Sequence, residues 1–217
     1  MKTLGVIPFR GNNGGPAVVV EQVADADFPT RYGHFRVAGF SARDPGGEEI
    51  EEAAVVYLGE LAGEPPLVRI HSQCLTGDVF HSLRCDCRAQ LELSLEMIAA
   101  EGRGLVIYEN KEGRGIGLLN KLRAYALQDQ GADTVEANEQ LGFEADLRDY
   151  EVPAAILRLL GVESVRLLSN NPDKIQALER AGIRVAERVP CQPPEVERAA
   201  KYLQTKRDKL GHLIDGF

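Results

Sequence analysis

Three of the chain's four cysteines fall in the pattern Cys74-x10-Cys85-x-Cys87. Any fold this sequence adopts must accommodate those thiols in one short stretch. Clustered thiolates bind zinc strongly, and four of them normally close a structural site. Three ligands leave one position for water, the arrangement of a catalytic zinc, whose bound water has a pKa of roughly 7. Spacing alone leaves other readings open. Cys191, His71 or His81 would complete a structural site, and free cysteines are often plain core residues. A redox pair is disfavoured because no C-x-x-C occurs.

The chain has 217 residues, 44% hydrophobic and 27% charged, enough for a core without disulfide support. Its formal net charge of -8 argues against a general nucleic-acid binder, which needs a basic footprint. A small anion needs only a local cluster of Arg and Lys. A secreted scaffold would be smaller and richer in cysteine. The start, MKTLGVIPFR, lacks the apolar run of a signal peptide, and no stretch approaches transmembrane length. The expectation is a cytoplasmic protein with reduced thiols, bound to neither nucleic acid nor membrane.

The GNNGGP patch marks residues 1–22 as a flexible N-terminal extension ahead of a domain over 23–217. Strands are predicted at Phe35–Phe40 and Ala53–Tyr57, where β-branched residues concentrate. GEPP turns the chain into LVRIH. An amphipathic helix follows over Gln90–Ala100, ended by Gly102 and Gly104, and then a buried strand, LVIY. Gly113 to Gly117 form a glycine-rich loop before a helix over Leu118–Gln130. A polar stretch covers Thr134 to Asp149. Helix 154–161, strand 165–168, helix 173–181 and strand 183–189 follow, with a terminal helix over 195–211. Strands alternating with helices imply an α/β fold, a mixed sheet covered by helices, with the cysteines in a loop preceding a helix.

Several segments suit an anion. The loop EGRGIGLLNK precedes a helix, and glycines allow close backbone approach while helix N-termini attract phosphate. It matches neither common phosphate-loop pattern, and a tight turn explains it equally. Arg69 beside the first cysteine reads alone as a solvated surface group. Asp146 and Arg148 read alone as a surface ion pair of little worth. In SNNPDKI, Ser169 and Lys174 can reach one ligand, or Asn171 simply caps a helix.

Taken together, RIHSQCLTGDVFHSLRCDCRAQLE, EGRGIGLLNKLRAYALQDQGADTVEAN, LGFEADLRDY and VRLLSNNPDKI closely resemble GTP cyclohydrolase II, from about Ala24 to Leu213. The resemblance implies a homodimeric enzyme of riboflavin biosynthesis. It would hydrolyse GTP to formate, diphosphate and 2,5-diamino-6-hydroxy-4-(5-phosphoribosylamino)pyrimidine. It would use one zinc per chain, and magnesium with the triphosphate. Carried over residue by residue, it makes Cys74, Cys85 and Cys87 the zinc ligands. Arg69, Ile70, His71, Ser72, Gln73, Gln90, Glu112, Gly113, Arg114, Thr134, Ser169 and Lys174 become the GTP contacts. Asp146 becomes the proton acceptor, Arg148 the nucleophile of the phosphate half, and Tyr125 a residue of ring opening.

Three departures stand out. The family usually has Glu at position 73 and Thr at 169, where this chain has Gln73 and Ser169, and YENKEGRG differs from common forms before Glu112. Gln keeps hydrogen bonding and loses a charge; Ser keeps the hydroxyl and loses a methyl. A four-carbon precursor synthase is often fused ahead of this domain in the family. With about two dozen residues before the matching region, that activity is expected to be absent.

Overall fold

A computed structural model describes residues 7–9, 18–143, 148–193, 207–208, 211 and 213. Its centre is a mixed sheet of eight strands in the order β1-β2-β3-β4-β6-β5-β7-β8. The strands are β1 (Ile7–Phe9), β2 (Val18–Thr30), β3 (Gly33–Arg43), β4 (Glu49–Leu58), β5 (Leu67–Ser72), β6 (Gly104–Glu109), β7 (Ser164–Leu168) and β8 (Arg184–Val189). The first four form an antiparallel meander, and β4 pairs antiparallel with β6. From β6 through β5 and β7 to β8 every pairing is parallel.

The helices are α1 (Cys87–Glu101), α2 (Leu118–Asp129), α3 (Thr134–Gln140), α4 (Glu151–Leu159) and α5 (Pro172–Arg180). They divide between the faces as the strand alternation demands. Val68, Ile70, Leu105 and Ile107 point to one side and pack with Ile156, Leu157 and Leu178 of α4 and α5. Leu67, Val106 and Leu168 point to the other and meet Ile98 of α1. Buried on both faces, β5 is covered almost throughout, as a central parallel strand should be. Among the described residues, no helix is long and apolar enough to cross a membrane.

The expected loose segment over residues 1–22 needs correction. Val18 to Gln22 belong to β2, with Val18 and Val20 buried, so one strand crosses the expected boundary. Its outer half, ADADFPT, carries residues poor in strand propensity and is held by pairing with β3 across a tight turn. The polar stretch after Thr134 contains α3. Asp133 caps that helix through Val135 N and Glu136 N, while Glu136 returns a bond to Asp133 N, a reciprocal capping box. The expected helix over 195–211 falls almost wholly outside the described residues.

Candidate active site

The parallel strands β6, β5 and β7 end on one edge of the sheet. Crossovers leave them toward opposite flanks, which opens a crevice beyond their C-terminal ends, the usual ligand position in such sheets. A cavity of about 730 Å³ lies there. Its walls come from the chain just after β5 (the cysteine segment), after β6 (the glycine loop and α2) and after β7 (Ser169 to Lys174).

After β5 the backbone makes a π-helical turn, Leu75–Val79, which brings Cys74 toward Cys85 and Cys87. The three sulfurs lie within 4.8 Å of one another, with Cys74 Sγ 3.6 Å from Cys85 Sγ. All three are free thiols. Gly77 makes the approach possible. A Cβ there would sit 2.9 Å from Cys85 Sγ and 3.1 Å from Cys74 Sγ. Hydrogen bonds from Cys85 and Cys87, with the nearby Lys121 ammonium, depress the Cys74 thiol's pKa. Cys74 in turn raises that of Cys85 to about 11. Three soft donors at such separations suit a zinc-type ion.

None of the three alternative fourth ligands joins them. Cys191 is buried at 3.6 Å from Ser94 Oγ, outside the cluster. His81 Nε2 faces Arg88 Nη1 at 2.6 Å. His71 Nε2 instead contacts Asp78, whose Oδ2 also accepts from Cys74 N (3.0 Å) and Tyr108 OH (2.8 Å). Burial lowers the pKa of His71, so its ring is neutral. With Nε2 donating to Asp78, Nδ1 is left as an acceptor, buried and without a hydrogen-bond partner among the described residues.

Around the cluster, Lys121 Nζ lies 3.1 Å from Cys74 Sγ and 2.6 Å from Glu112 Oε1. Glu112 also accepts from Leu75 N at 2.7 Å, which ties the glycine loop to the cysteine segment. Within that loop both Gly113 and Arg114 are left-handed, φ 61° each, a conformation unfavourable for arginine. Tyr125, on the second turn of α2, directs its hydroxyl to Thr76 Oγ1 at 3.2 Å, and Thr76 Oγ1 lies 3.7 Å from Cys74 Sγ. Burial raises the phenol's pKa, so it stays protonated. The Arg84 guanidinium lies over its ring.

Further cations line the same cavity. Lys174 Nζ donates to Ile70 O at 2.8 Å, Arg148 Nη1 to Ser72 Oγ at 3.3 Å, and Lys111 joins them in the lining. Arg69 donates to Leu168 O and to Gln90 Oε1, and its buried Nε has no partner among the described residues. A chain of net charge -8 thus concentrates its basic side chains where an anion would enter.

Most residues implied by sequence meet here. Arg69, His71, Ser72, Gln73 and Gln90 line the cavity, as do Glu112, Gly113, Arg114, Tyr125, Thr134, Arg148, Ser169, Lys174 and the three cysteines. Ile70 does not: its side chain is fully buried in the core, and its carbonyl receives Lys174. Asp146 lies outside the described residues. The site also holds residues that sequence reasoning passed over: Asp78 and Tyr108, Lys121, Arg84, and the Lys111 cluster. Lys121 had a legible signal, one helical turn from Tyr125 on the same face.

A model of the GTP cyclohydrolase II family matches residues 21–190. A GTP cyclohydrolase-2 from Haemophilus influenzae is 51% identical over 197 residues, 90% of this chain and 89% of that protein. One from Klebsiella pneumoniae is 53% identical over 197 residues, 90% and 96% respectively. The riboflavin biosynthesis protein RibBA of Bacillus subtilis is 55% identical over 196 residues, 90% of this chain and 49% of that protein.

Proposed function

This chain belongs to the GTP cyclohydrolase II family, the hydrolases of riboflavin biosynthesis, and on that premise we propose that it performs both hydrolyses in the one cavity. GTP enters as its magnesium complex. Formate, diphosphate and 2,5-diamino-6-hydroxy-4-(5-phosphoribosylamino)pyrimidine leave. The observation that carries the reading is that one cavity is lined both by a trio of thiols beside Tyr125 and by the cations Lys111, Arg148 and Lys174.

Cys74, Cys85 and Cys87 would hold a zinc ion. When bound, it would supply Lewis acidity and lower the pKa of water so that hydroxide is available at neutral pH beside C8 of guanine. Lys121 neutralises the charge of the Cys74 thiolate. The protonated Tyr125 hydroxyl, oriented by Thr76, donates to a ring nitrogen as the imidazole opens. Neutral His71 offers Nδ1 to an N–H of the base, and Arg69 Nε offers a donor to an oxygen. Two waters are consumed at C8.

A third water cleaves the bond at the α-phosphorus. Arg148, Lys174 and Lys111 stabilise the charge that develops on the phosphate oxygens. A guanidinium is effectively always protonated and a poor nucleophile in that form. Arg148 donates to Ser72, so we assign it the clamping role, with water as nucleophile and Asp146 as proton acceptor. We further propose a homodimer in a reducing cytoplasm. Exposed Val79, Phe80 and Leu83 near the cysteines, and Leu119 and Leu122 on α2, supply apolar surface for a second copy. The test is incubation of the purified protein with GTP and Mg²⁺, with formate, diphosphate and nucleotide quantified together. Equal yields of formate and diphosphate are expected; turnover that yields no formate overturns the reading.

A further inference from the structure

We propose that Glu109 is the positioning residue of Arg148, an inference that rests on the phosphate-clamping role assigned above. Glu109 ends β6 and is fully buried, behind the cavity wall. Two arms run from its carboxylate to residue 148. In the first, Oε2 accepts from Ser72 Oγ at 3.2 Å, and that same Oγ accepts from Arg148 Nη1 at 3.3 Å. In the second, Oε1 lies 3.6 Å from Lys111 Nζ, which donates to the backbone carbonyl of Asp149 at 2.8 Å and pairs with its carboxylate at 3.2 Å. Glu51 also pairs with the same ammonium, at 3.2 Å. The guanidinium of residue 148 and the next residue, Asp149, are both anchored through one buried carboxylate.

The direction of the first arm matters. A guanidinium only donates, so Ser72 turns a lone pair toward Arg148 and its own proton goes to Glu109 Oε2. Without that constraint the hydroxyl rotates freely and competes with Arg148 as a donor. Purely structural carboxylates are poor tenants of a core, because burying one costs stability unless it is fully paired. Glu109 Oε1 has no hydrogen-bond partner among the described residues. Burial raises the carboxyl's pKa, and Lys111, Lys174 and Arg148 offset only part of that rise. The group is therefore held at a stability cost and faces the cations of the phosphate end. Small errors in aiming a clamp are expensive in rate, since positioning alone governs several orders of magnitude.

The test uses the full chain with zinc bound. Glu109→Gln keeps the shape but brings an amide that can donate to Ser72 and reverse the arm. The expected result is a fall in kcat for diphosphate release of at least about 10-fold with KM for GTP within about threefold. Zinc content should be unchanged, and Tm should not fall, since the buried charge is held at a stability cost. A second readout needs no turnover: ¹⁵N spectra of the guanidinium groups, with the Arg148 signals assigned by their loss in Arg148→Lys. Those signals should report slow rotation in the parent protein and averaging in Glu109→Gln. If the glutamine variant fails to fold, Glu109→Leu removes the buried charge and carries the same expectations. A kcat within twofold of the parent overturns the proposal, as do unchanged Arg148 signals or a rate that falls only in step with zinc and Tm. If the parent protein releases no diphosphate, the functional reading fails, and the spectra still decide the positioning role.

Discussion

Gly77 is the residue on which assembly of the thiol cluster turns. Its φ is not left-handed, so the backbone accepts alanine without strain. The obstacle is the added Cβ, which would lie 2.9 Å from Cys85 Sγ, 3.1 Å from Cys74 Sγ and 3.3 Å from Cys87 Cβ. Ordinary contacts between heavy atoms of this kind start at about 3.5 Å. The two sulfurs must therefore retreat by roughly 0.4 to 0.6 Å, given that contact distance. Neither is the loose end of a long side chain, and both are ligands whose spacing must match one ion. Overpacking of this kind costs about 1 to 3 kcal/mol. If that cost falls on the bound state, zinc affinity in Gly77→Ala drops roughly 5- to 150-fold. Competition titration against a chromophoric chelator measures it directly. Gly39→Ala is the control, because a Cβ there meets nothing within 4 Å. Zinc affinity in Gly77→Ala within twofold of the parent would refute the claim that the three thiols share one ion.

We predict that Cys191→Ser keeps its zinc, because Cys191 packs against Ser94 away from the cluster; elemental analysis that finds the metal lost would point to a closed four-ligand site. Tyr125→Phe should still release diphosphate while formate release slows by about 10²-fold, the usual range for losing a general acid or base. An unchanged formate rate would leave the hydroxyl without a chemical role. Burial, opposed by Lys111, raises Glu51 from 4.5 to about 7. The folded chain therefore binds that proton more tightly than the unfolded chain. The stabilisation is complete below pH 4.5 and is lost as pH rises through 7. In Glu51→Gln the fall in unfolding free energy across that window should shrink by on the order of 1 to 3 kcal/mol, a value discounted for the side chain's partial exposure. Urea titrations at stepped pH that show the same slope in both proteins would contradict it.

Where the sequence was legible, the signal was physical and local. The apolar run LVIY and the segment LVRIH sit between glycine or proline turns and became the paired parallel strands β6 and β5. Helix α2 begins at Leu118 as expected from the loop glycines before it. What escaped were features made by tertiary contact. The outer half of β2 is acidic and exposed, and it is a strand only because β3 lies beside it. Helix α3 announced itself through the D-x-x-E capping box, but its polar composition hid it. The cysteine trio was readable from spacing, whereas the exclusion of Cys191 required the fold. The Glu51–Glu109–Lys111 cluster joins β4 to β6, and no spacing in sequence could assemble it.

The central claim is that one cavity carries out two separable hydrolyses, ring opening at the thiol cluster and diphosphate release at Arg148. Cys85→Ser removes one ligand of the cluster and leaves Lys111, Arg148 and Lys174 untouched. Folded, zinc-free Cys85→Ser incubated with GTP and Mg²⁺ should release diphosphate and a nucleoside monophosphate with the guanine ring intact, and no formate. Loss of both products while GTP still binds would contradict the separation.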